Sequence, residues 1–142
     1  FLSHFTQGSV CLALELTERE LIEPTDITHK LFEQLHELGV KIAIDDFGTG
    51  HSSLGYLRQF NVDFLKIDQS FVAMIGADVL SRHILDSIIE LSVKLNLDIV
   101  AERVETEEQR DYLTARGVGL LQGYLFARPM PGVQLNKALT GR

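Results

Sequence analysis

Apolar residues recur along this chain in two alternating patterns, as short unbroken runs and as longer segments with apolar residues three or four positions apart. The short runs are rich in Val, Ile and Leu, which is typical of strands that are buried on both faces. The spaced segments predict helices with one apolar side. Strands are predicted at 10–16, 40–45, 62–67, 97–101 and 118–122, and helices at 25–38, 52–59, 81–95, 106–116 and 133–139.

Two of these helices carry the clearest signals. In the segment 25–38, Thr25 or Asp26 can cap the amino end, and Gly39 ends the helix. The apolar stripes expected to face the core are Ile27, Leu31, Leu35 and Leu38 in this helix, and Ile84, Leu85, Ile88, Leu91 and Leu95 in the helix 81–95. Because strands and helices alternate throughout, the pattern predicts an α/β fold with a parallel sheet.

The second predicted strand ends in two adjacent carboxylates, Asp45 and Asp46, and Gly48 and Gly50 follow in the next loop. Like charges at the end of a buried strand repel each other and lose hydration. A divalent cation with oxygen ligands would offset both effects. Alternatively, one aspartate caps the following turn or helix, and this segment alone leaves both interpretations open.

Polar residues also stand at or just beyond the end of every other predicted strand. They are Glu15 and Glu18 at the first strand, Lys66 and Asp68 at the third, Glu102 and Glu105 at the fourth, and Gln122 at the fifth. The carboxyl ends of parallel strands meet at one edge of a sheet, so we expect these residues to form a single site. A site in this position is typical of a (β/α) barrel.

Five strands are too few for a closed barrel, since an eight-stranded (β/α) barrel usually takes roughly 200 residues or more. Two architectures remain, an open doubly wound sheet or the second half of a barrel whose first strands are absent. The chain of 142 residues begins at Phe1 without an initiator methionine, as the tail of a preceding helix would. We therefore expect a single, incomplete domain over 1–142.

Composition excludes several classes of protein. Hydrophobic residues are 45% and charged residues 23%, which is ordinary for a globular domain. The net charge of -7 disfavours binding to DNA or RNA polymers, although metal ions that mask the carboxylates would still admit a phosphorylated substrate.

Cys11 is the only cysteine and lies in an apolar run, so we expect a small core residue in a reducing, cytoplasmic setting. The histidines lack zinc-site spacing, and no apolar run reaches the roughly 20 residues that span a bilayer.

Five short motifs occur in order along the chain. They are LELTE at 14–18, DDFGTG-x-SSL-x-YL at 45–57, K-x-D-x-x-F at 66–71, AERVET at 101–106 and QGY-x-F-x-x-P at 122–129. One such motif would be a weak signal, but all of them in this order are specific. In these motifs the chain resembles the EAL family of bacterial cyclic di-GMP phosphodiesterases.

This resemblance implies strands four to eight of a (β/α)8 TIM-type barrel, with the Glu-Ala-Leu strand and a strand bearing an asparagine ligand lying upstream. It implies hydrolysis of one phosphodiester bond of cyclic di-GMP to the linear dinucleotide with two Mg²⁺ or Mn²⁺ ions. Glu15 is expected to bind one metal ion, Asp45 to bridge both, and Asp46 and Glu102 to complete the second. Glu102 is also the expected general base, and Lys66 is expected to hold the attacking water or to stabilise the phosphorane charge.

Further roles are implied by the same resemblance. Glu18 and Glu105 are expected to fix loops and metal ligands, and Gly48 and Gly50 to let the loop after Asp46 rearrange. The expected substrate-binding residues are Asp68, Gln122, Phe126 and Pro129. The implied partners are cyclic di-GMP, a second copy of the chain bound through the loop and helix after Asp46, and fused sensory or diguanylate cyclase modules.

Two positions depart from the family pattern. Arg103 replaces the usual glycine of AEGVET, and His51 stands where an aromatic residue is more usual. If position 103 has a positive φ, arginine strains the loop; if its side chain only points to solvent, nothing is lost. The alternative function is an inactive family member that binds cyclic di-GMP or a protein partner, but the intact acids favour the enzyme. The 142 residues alone are expected to be inactive, because two ligands and three strands are missing.

Overall fold

The computed structural model describes residues 11–17, 23, 25–48, 57 and 59–141. Helices follow the first, third, fourth and fifth strands as predicted, and a short helix that the sequence pattern did not predict also follows the third strand. The elements are β1 (Ala13–Thr17), α1 (Asp26–Glu37), β2 (Lys41–Phe47), β3 (Phe64–Ile67), α2 (Gln69–Ala73), α3 (Val79–Lys94), β4 (Asp98–Ala101), α4 (Glu107–Ala115), β5 (Leu120–Leu121) and α5 (Gly132–Thr140). The predicted helix 52–59 lies almost entirely outside the described residues. None of the described helices is long and apolar enough to cross a membrane.

The five strands form one parallel sheet in the order β1-β2-β3-β4-β5. Each strand therefore lies beside the next strand along the chain, as in a (β/α) barrel. A doubly wound sheet would instead reverse its strand order at a switch point. The strand order thus selects the barrel arrangement from the two architectures that the sequence pattern allowed, and the predicted α/β fold with five strand-helix units is confirmed.

Side chains alternate between the two faces of this sheet, and the two faces differ in chemistry. One face packs under the helices and forms the core, where Ile42, Ile44, Leu65 and Ile67 are each at most 1% exposed. The other face carries polar groups that alternate with core residues, such as Glu15 beside Leu16 and Lys66 between Leu65 and Ile67. The core therefore forms on one side of the sheet and leaves the other side for a functional site.

The predicted apolar stripes of the helices are only partly buried. Helix α1 buries Phe32, which was not in its predicted stripe and packs edge-on against Phe60 with ring centroids 4.8 Å apart. The exposed members of the stripes are Ile27, Leu31 and Leu38 of α1 and Ile84 and Leu95 of α3.

Cys11 is exposed as well, so its predicted place in the core is wrong. Cys11 lies just before β1, which has a neighbouring strand on one side only in the described sheet, so no second strand covers it there.

Helix α4 begins with a reciprocal cap next to the end of β4. The Thr106 hydroxyl accepts the backbone N–H of Gln109 at 3.2 Å, and Gln109 Oε1 accepts the N–H groups of Thr106 and Glu105. Gln109 Nε2 also donates to the carbonyl of Val72, which links the cap to α2. This cap fixes the loop between β4 and α4.

Removal of this cap should have a measurable effect on stability. We expect Thr106→Ala to lower the free energy of unfolding by about 1 kcal/mol, because one N–H of the first helical turn loses its partner. The matched control is Thr114→Ala on the exposed side of the same helix, where alanine is the better helix former. Urea unfolding of the full-length protein measures both, and equal midpoints for the two variants would contradict the expectation.

Candidate active site

Three carboxylates from three different strands meet at the carboxyl edge of the sheet. Glu15 lies in β1, Asp45 lies near the end of β2, and Glu102 directly follows β4. One oxygen atom of each lies within 4.8 Å of the corresponding oxygens of the other two. Carboxylates this close repel one another unless a cation lies between them. This group of three is called the carboxylate cluster below.

Lys66 of β3 places its ammonium group in the carboxylate cluster. The residue is only 2% exposed, and its Nζ forms ion pairs with Oε1 of Glu15 and, at 2.5 Å, with Oε1 of Glu102. Burial by itself lowers the pKa of Lys66, but the hydrogen bonds and charges of Glu102 and Glu15 outweigh burial and raise it overall. Lys66 is therefore a fixed positive charge facing three carboxylates.

An irregularity in the pairing of β2 with β3 gives the two adjacent aspartates different positions. The register shifts between Ile44 and Phe47, and Asp46 has a φ of 56°. Aspartate tolerates this left-handed conformation better than most residues, and the Asp46 N–H donates to Oδ1 of Asp45 at 2.8 Å. As a result Asp45 joins the carboxylate cluster, whereas Asp46 lies outside it and lines a neighbouring cavity.

Negative charge accumulates around Asp46. Burial raises the pKa of its carboxyl group, and the charges of Asp45, Asp68 and Glu102 raise the pKa further. The Asp46 carboxyl group also lies within hydrogen-bonding reach of Asp68. Asp68 caps helix α2, because its Oδ1 accepts the N–H of Ser70 at 2.8 Å. The edge of the cavity is thus a place where a bound cation would relieve electrostatic repulsion.

The cavity beside the carboxylate cluster has a volume of about 760 Å³. The predicted site residues that line it are Asp46, Asp68, Glu102, Glu105, Gln122 and Pro129. Phe126 does not line it and is 52% exposed. Arg103, Tyr124 and Arg128 also line the cavity. The motifs singled out Arg103 only as a departure from the family pattern. Tyr124 belongs to the QGY motif but was given no role, and Arg128 was not singled out although it lies beside Pro129.

The loop that carries Glu102 and Arg103 is held firmly against the end of β5. Val104 is fully buried, its N–H donates to the carbonyl of Gln122 at 3.0 Å, and its carbonyl accepts the N–H of Leu125 at 3.1 Å. Arg103 has a φ of 52°, a conformation that glycine adopts easily and arginine does not. The strain expected from the substitution of glycine by arginine is therefore present in the backbone of this loop.

Gly123 lets the two loops approach each other. A Cβ at this position would lie 2.1 Å from the carbonyl oxygen and 2.4 Å from the nitrogen of Val104. Neither backbone atom can move without breaking the hydrogen bonds described above. Only glycine fits here, and the cavity wall depends on it.

Of the predicted loop residues Glu18, Gly48 and Gly50, the structure describes only Gly48. Gly48 has a φ of 93°, and a Cβ there would lie 3.1 Å from both Ile88 and Phe71, so glycine suits the position for both reasons. Glu18 and Gly50 lie outside the described residues, as does His51. The predicted roles of the loop and helix after Asp46, including dimer contacts, therefore remain predictions.

The donor set of the carboxylate cluster fits a hard divalent cation. All three residues offer oxygen atoms, and oxygen is the ligand type that Mg²⁺, Mn²⁺ and Ca²⁺ prefer. The single positive charge of Lys66 cannot neutralise both the three carboxylates of the cluster and the neighbouring carboxylate of Asp46. In the described part of the chain this is the one group of three or more such side chains close enough to hold a metal ion.

Comparison with known proteins identifies the family. The EAL domain model matches residues 2–129. The chain is 51% identical over 121 residues to the cyclic di-GMP phosphodiesterase PdeL of Escherichia coli K12, covering 85% of this chain but only 33% of PdeL.

Two solved structures share the fold. The EAL domain of Mycobacterium smegmatis DcpA matches with a TM-score of 0.81 and 40% identity over 94% of this chain and 59% of that domain. The phosphodiesterase PaMucR of Pseudomonas aeruginosa, solved in complex with c-di-GMP, matches with a TM-score of 0.75 and 47% identity over 87% of this chain and 50% of the other. The motifs, the barrel-type strand order and these matches together show that the chain belongs to the EAL domain family.

Proposed function

We propose that this chain is the C-terminal part of a metal-dependent phosphodiesterase that hydrolyses one phosphodiester bond of cyclic di-GMP to the linear dinucleotide. The observation that carries the proposal is the carboxylate cluster with the buried Lys66 at its centre, beside a cavity of about 760 Å³. PdeL, which shares half of the aligned residues, is a cyclic di-GMP phosphodiesterase. The acids expected from the family motifs are present in this sequence.

The proposed activity belongs to a complete barrel. The chain spans about a third of PdeL, and the proposal requires a Glu-Ala-Leu strand and an asparagine strand that this sequence does not contain. We further propose a cytoplasmic protein that carries sensory or diguanylate cyclase modules and dimerises through the loop and helix after Asp46. These statements rest on the family resemblance.

The metal site would be built mainly from the carboxylate cluster. Glu15, Asp45, Asp46 and Glu102 would hold two Mg²⁺ or Mn²⁺ ions. Bound ions of this kind neutralise charge on the attacking and leaving oxygens and make water more acidic. The register shift at the end of β2 supports separate roles for the aspartates, because it directs Asp45 into the cluster and Asp46 towards the cavity.

The reaction adds water across one phosphorus–oxygen bond. The water oxygen bonds to phosphorus, the bond to one ribose oxygen breaks, and that ribose oxygen takes up a proton. Glu102 accepts the proton of the attacking water, and Lys66 holds this water or stabilises the negative charge that develops on the phosphoryl oxygens. The contact of Glu102 with Lys66 supports this division, because it brings the two groups together at one point of the carboxylate cluster.

The remaining cavity residues would bind the substrate. Gln122 and Asp68 offer polar groups to the phosphate or the guanine edge, and Pro129 lines the same wall. Phe126 keeps its proposed role beside a guanine only if the base extends beyond the described cavity. Glu105 would help to fix the loop that its own backbone N–H already ties to Gln109 in the cap of α4.

A direct assay tests this function. The full-length protein is incubated with cyclic di-GMP and Mn²⁺ or Mg²⁺, and the products are separated by chromatography. We expect the linear dinucleotide to accumulate, and a chelator to stop its formation. Binding of cyclic di-GMP without turnover would contradict the enzyme and support a receptor.

The metal site can be tested separately from turnover. We expect Asp45→Asn to weaken Mn²⁺ binding at least 10-fold, as measured by calorimetry, because one of the ligand carboxylates loses its charge. Loss of a group that only supports the metal ligands already weakens metal binding roughly 10–100-fold. The matched control is Asp98→Asn, an exposed aspartate at the opposite end of β4. Unchanged Mn²⁺ affinity in the Asp45 variant would contradict the assigned ligand.

A further inference from the structure

Arg103 is an unusual residue for its place in the fold. It lies between Glu102 and the buried Val104, on the loop after β4, and has a left-handed backbone conformation. Glycine, which the family motif carries here, would adopt this conformation without strain. Strained residues persist where the surroundings hold them in place and where they serve the site. The hydrogen bonds of Val104 to Gln122 and Leu125 provide that hold.

The side chain of Arg103 is available to a ligand. The residue is exposed and lines the cavity, and its guanidinium forms no hydrogen bond or ion pair with any residue that the structure describes. This holds although two glutamates lie within two positions of it in the sequence, Glu102, which is paired with Lys66, and Glu105. Arg128, the other arginine at the cavity, lies over the ring of Tyr124 at 4.7 Å from its centroid.

The charges of the cavity indicate what Arg103 would bind. The described wall carries the carboxylates of Asp46, Asp68, Glu102 and Glu105 and the two arginines. Cyclic di-GMP has two phosphodiester groups, each with one negative charge. With the cleaved group at the carboxylate cluster, the other group would lie elsewhere in the cavity, where a positive side chain would offset repulsion from the four carboxylates. Guanidinium pairs with phosphate through two parallel hydrogen bonds.

We propose that Arg103 binds the phosphate of cyclic di-GMP that is not cleaved, and so increases the affinity of this protein for its substrate beyond what a glycine at this position provides. The proposal rests on the phosphodiesterase function proposed above. Arg103 then acts in substrate binding and contributes equally to ground state and transition state. Its removal should raise KM and leave kcat nearly unchanged.

Three substitutions in the full-length protein separate the guanidinium from the backbone. Arg103→Gly removes the charge and relieves the strain, Arg103→Ala removes the charge and keeps the strain, and Arg103→Lys keeps a charge that a phosphate can still use. We expect KM for cyclic di-GMP to rise about tenfold in the Gly and Ala variants, as for loss of one charge-assisted contact. In the Lys variant the increase should be smaller, and kcat should stay near that of the unmodified protein in all three.

Binding of the linear dinucleotide gives a second readout that needs no turnover, because this product keeps the uncleaved phosphodiester. Its Kd should rise about tenfold in the Gly and Ala variants. The control for a general change in charge is Arg110→Ala on α4, which lies outside the cavity and should bind the dinucleotide normally.

The possible results distinguish this inference from the proposed function. If the unmodified protein turns over cyclic di-GMP but the Gly variant has an unchanged KM, Arg103 has no part in binding. The inference is also overturned if only the Gly variant differs while Ala and Lys both behave as Arg, since the backbone would then be responsible, or if kcat alone falls. Equal losses in Lys and Gly would indicate a guanine contact and overturn the phosphate assignment. Failure of the unmodified protein to bind or cleave the dinucleotide would instead overturn the proposed function itself.

Discussion

Lys66→Met in the full-length protein is expected to lower kcat for cyclic di-GMP about 10²–10³-fold, the usual loss when one preorganised charge-stabilising group is removed. Methionine fills a similar volume in this buried position but has no charge. The ammonium group contacts Glu15 and Glu102 directly, so its loss removes a positive charge from the place where negative charge develops during hydrolysis. Steady-state product formation under saturating substrate measures the change.

The same variant should also change how the protein responds to metal. Without the ammonium group the carboxylate cluster loses its internal counter-charge, so the metal-free protein should be less stable by about 1–3 kcal/mol. The loss is moderate because water reaches Glu15, whose side chain is 44% exposed. Added Mn²⁺ should therefore raise the melting temperature more in the variant than in the unmodified protein.

Lys41→Met is the matched control for this experiment. Lys41 begins β2, its side chain is 46% exposed, and its Nζ lies 3.7 Å from the nearest Asp63 oxygen. A pair of this kind contributes little to stability, so kcat and the response to Mn²⁺ should stay unchanged. Full activity in the Lys66 variant would show that the ammonium group has no role in the reaction.

Gly123→Ala is expected to have the second large effect, on the wall of the cavity. A single methyl group would occupy the space of the Val104 backbone, 2.1 Å from its carbonyl oxygen. The loops after β4 and β5 would have to separate, which breaks the hydrogen bonds between Val104 and Gln122 and Leu125. We expect a loss of about 3 kcal/mol in the free energy of unfolding, at the upper end for overpacked sites. Activity should fall as well, because Glu102 and Gln122 are carried by these loops.

The matched control is Gly119→Ala, four residues earlier in the chain. A Cβ at Gly119 would meet no atom within 4 Å, so its stability should stay within about 0.5 kcal/mol of the unmodified protein. Urea unfolding and steady-state product formation are measured for both variants. A Gly123 variant as stable and active as the Gly119 variant would contradict the close packing of the two loops.

The strand pattern and the residues of the carboxylate cluster were accessible from sequence because their signals are local. Apolar runs with polar residues at their ends recur five times, four of them with acids, and the order of the motifs indicated which family the chain resembles. The position of Phe32 in the core was not accessible, since the apolar spacing of α1 equally supports the stripe that turned out to be exposed. Which stripe is buried depends on the position of Phe60, which lies far away in the sequence.

The different positions of Asp45 and Asp46 were also beyond the sequence. Two identical neighbouring side chains give no sign of a register shift between β2 and β3, yet that shift places one aspartate in the carboxylate cluster and the other at the cavity. The requirement for glycine at position 123 has the same origin. It comes from contact between two loops whose distance no local pattern encodes.

The sequence by itself determined the alternation of strands and helices, the placement of acids and a lysine at the strand ends, and the resemblance to the EAL family. These are properties of short segments, set by side-chain periodicity and by residue identity. Only the tertiary structure decided that Lys66 pairs with two of the three carboxylates, that Asp46 faces a different space from Asp45, and that Arg103 stands strained and unpaired, among the described residues, at the cavity. Those features depend on distances between segments, and packing of the sheet and its loops sets these distances.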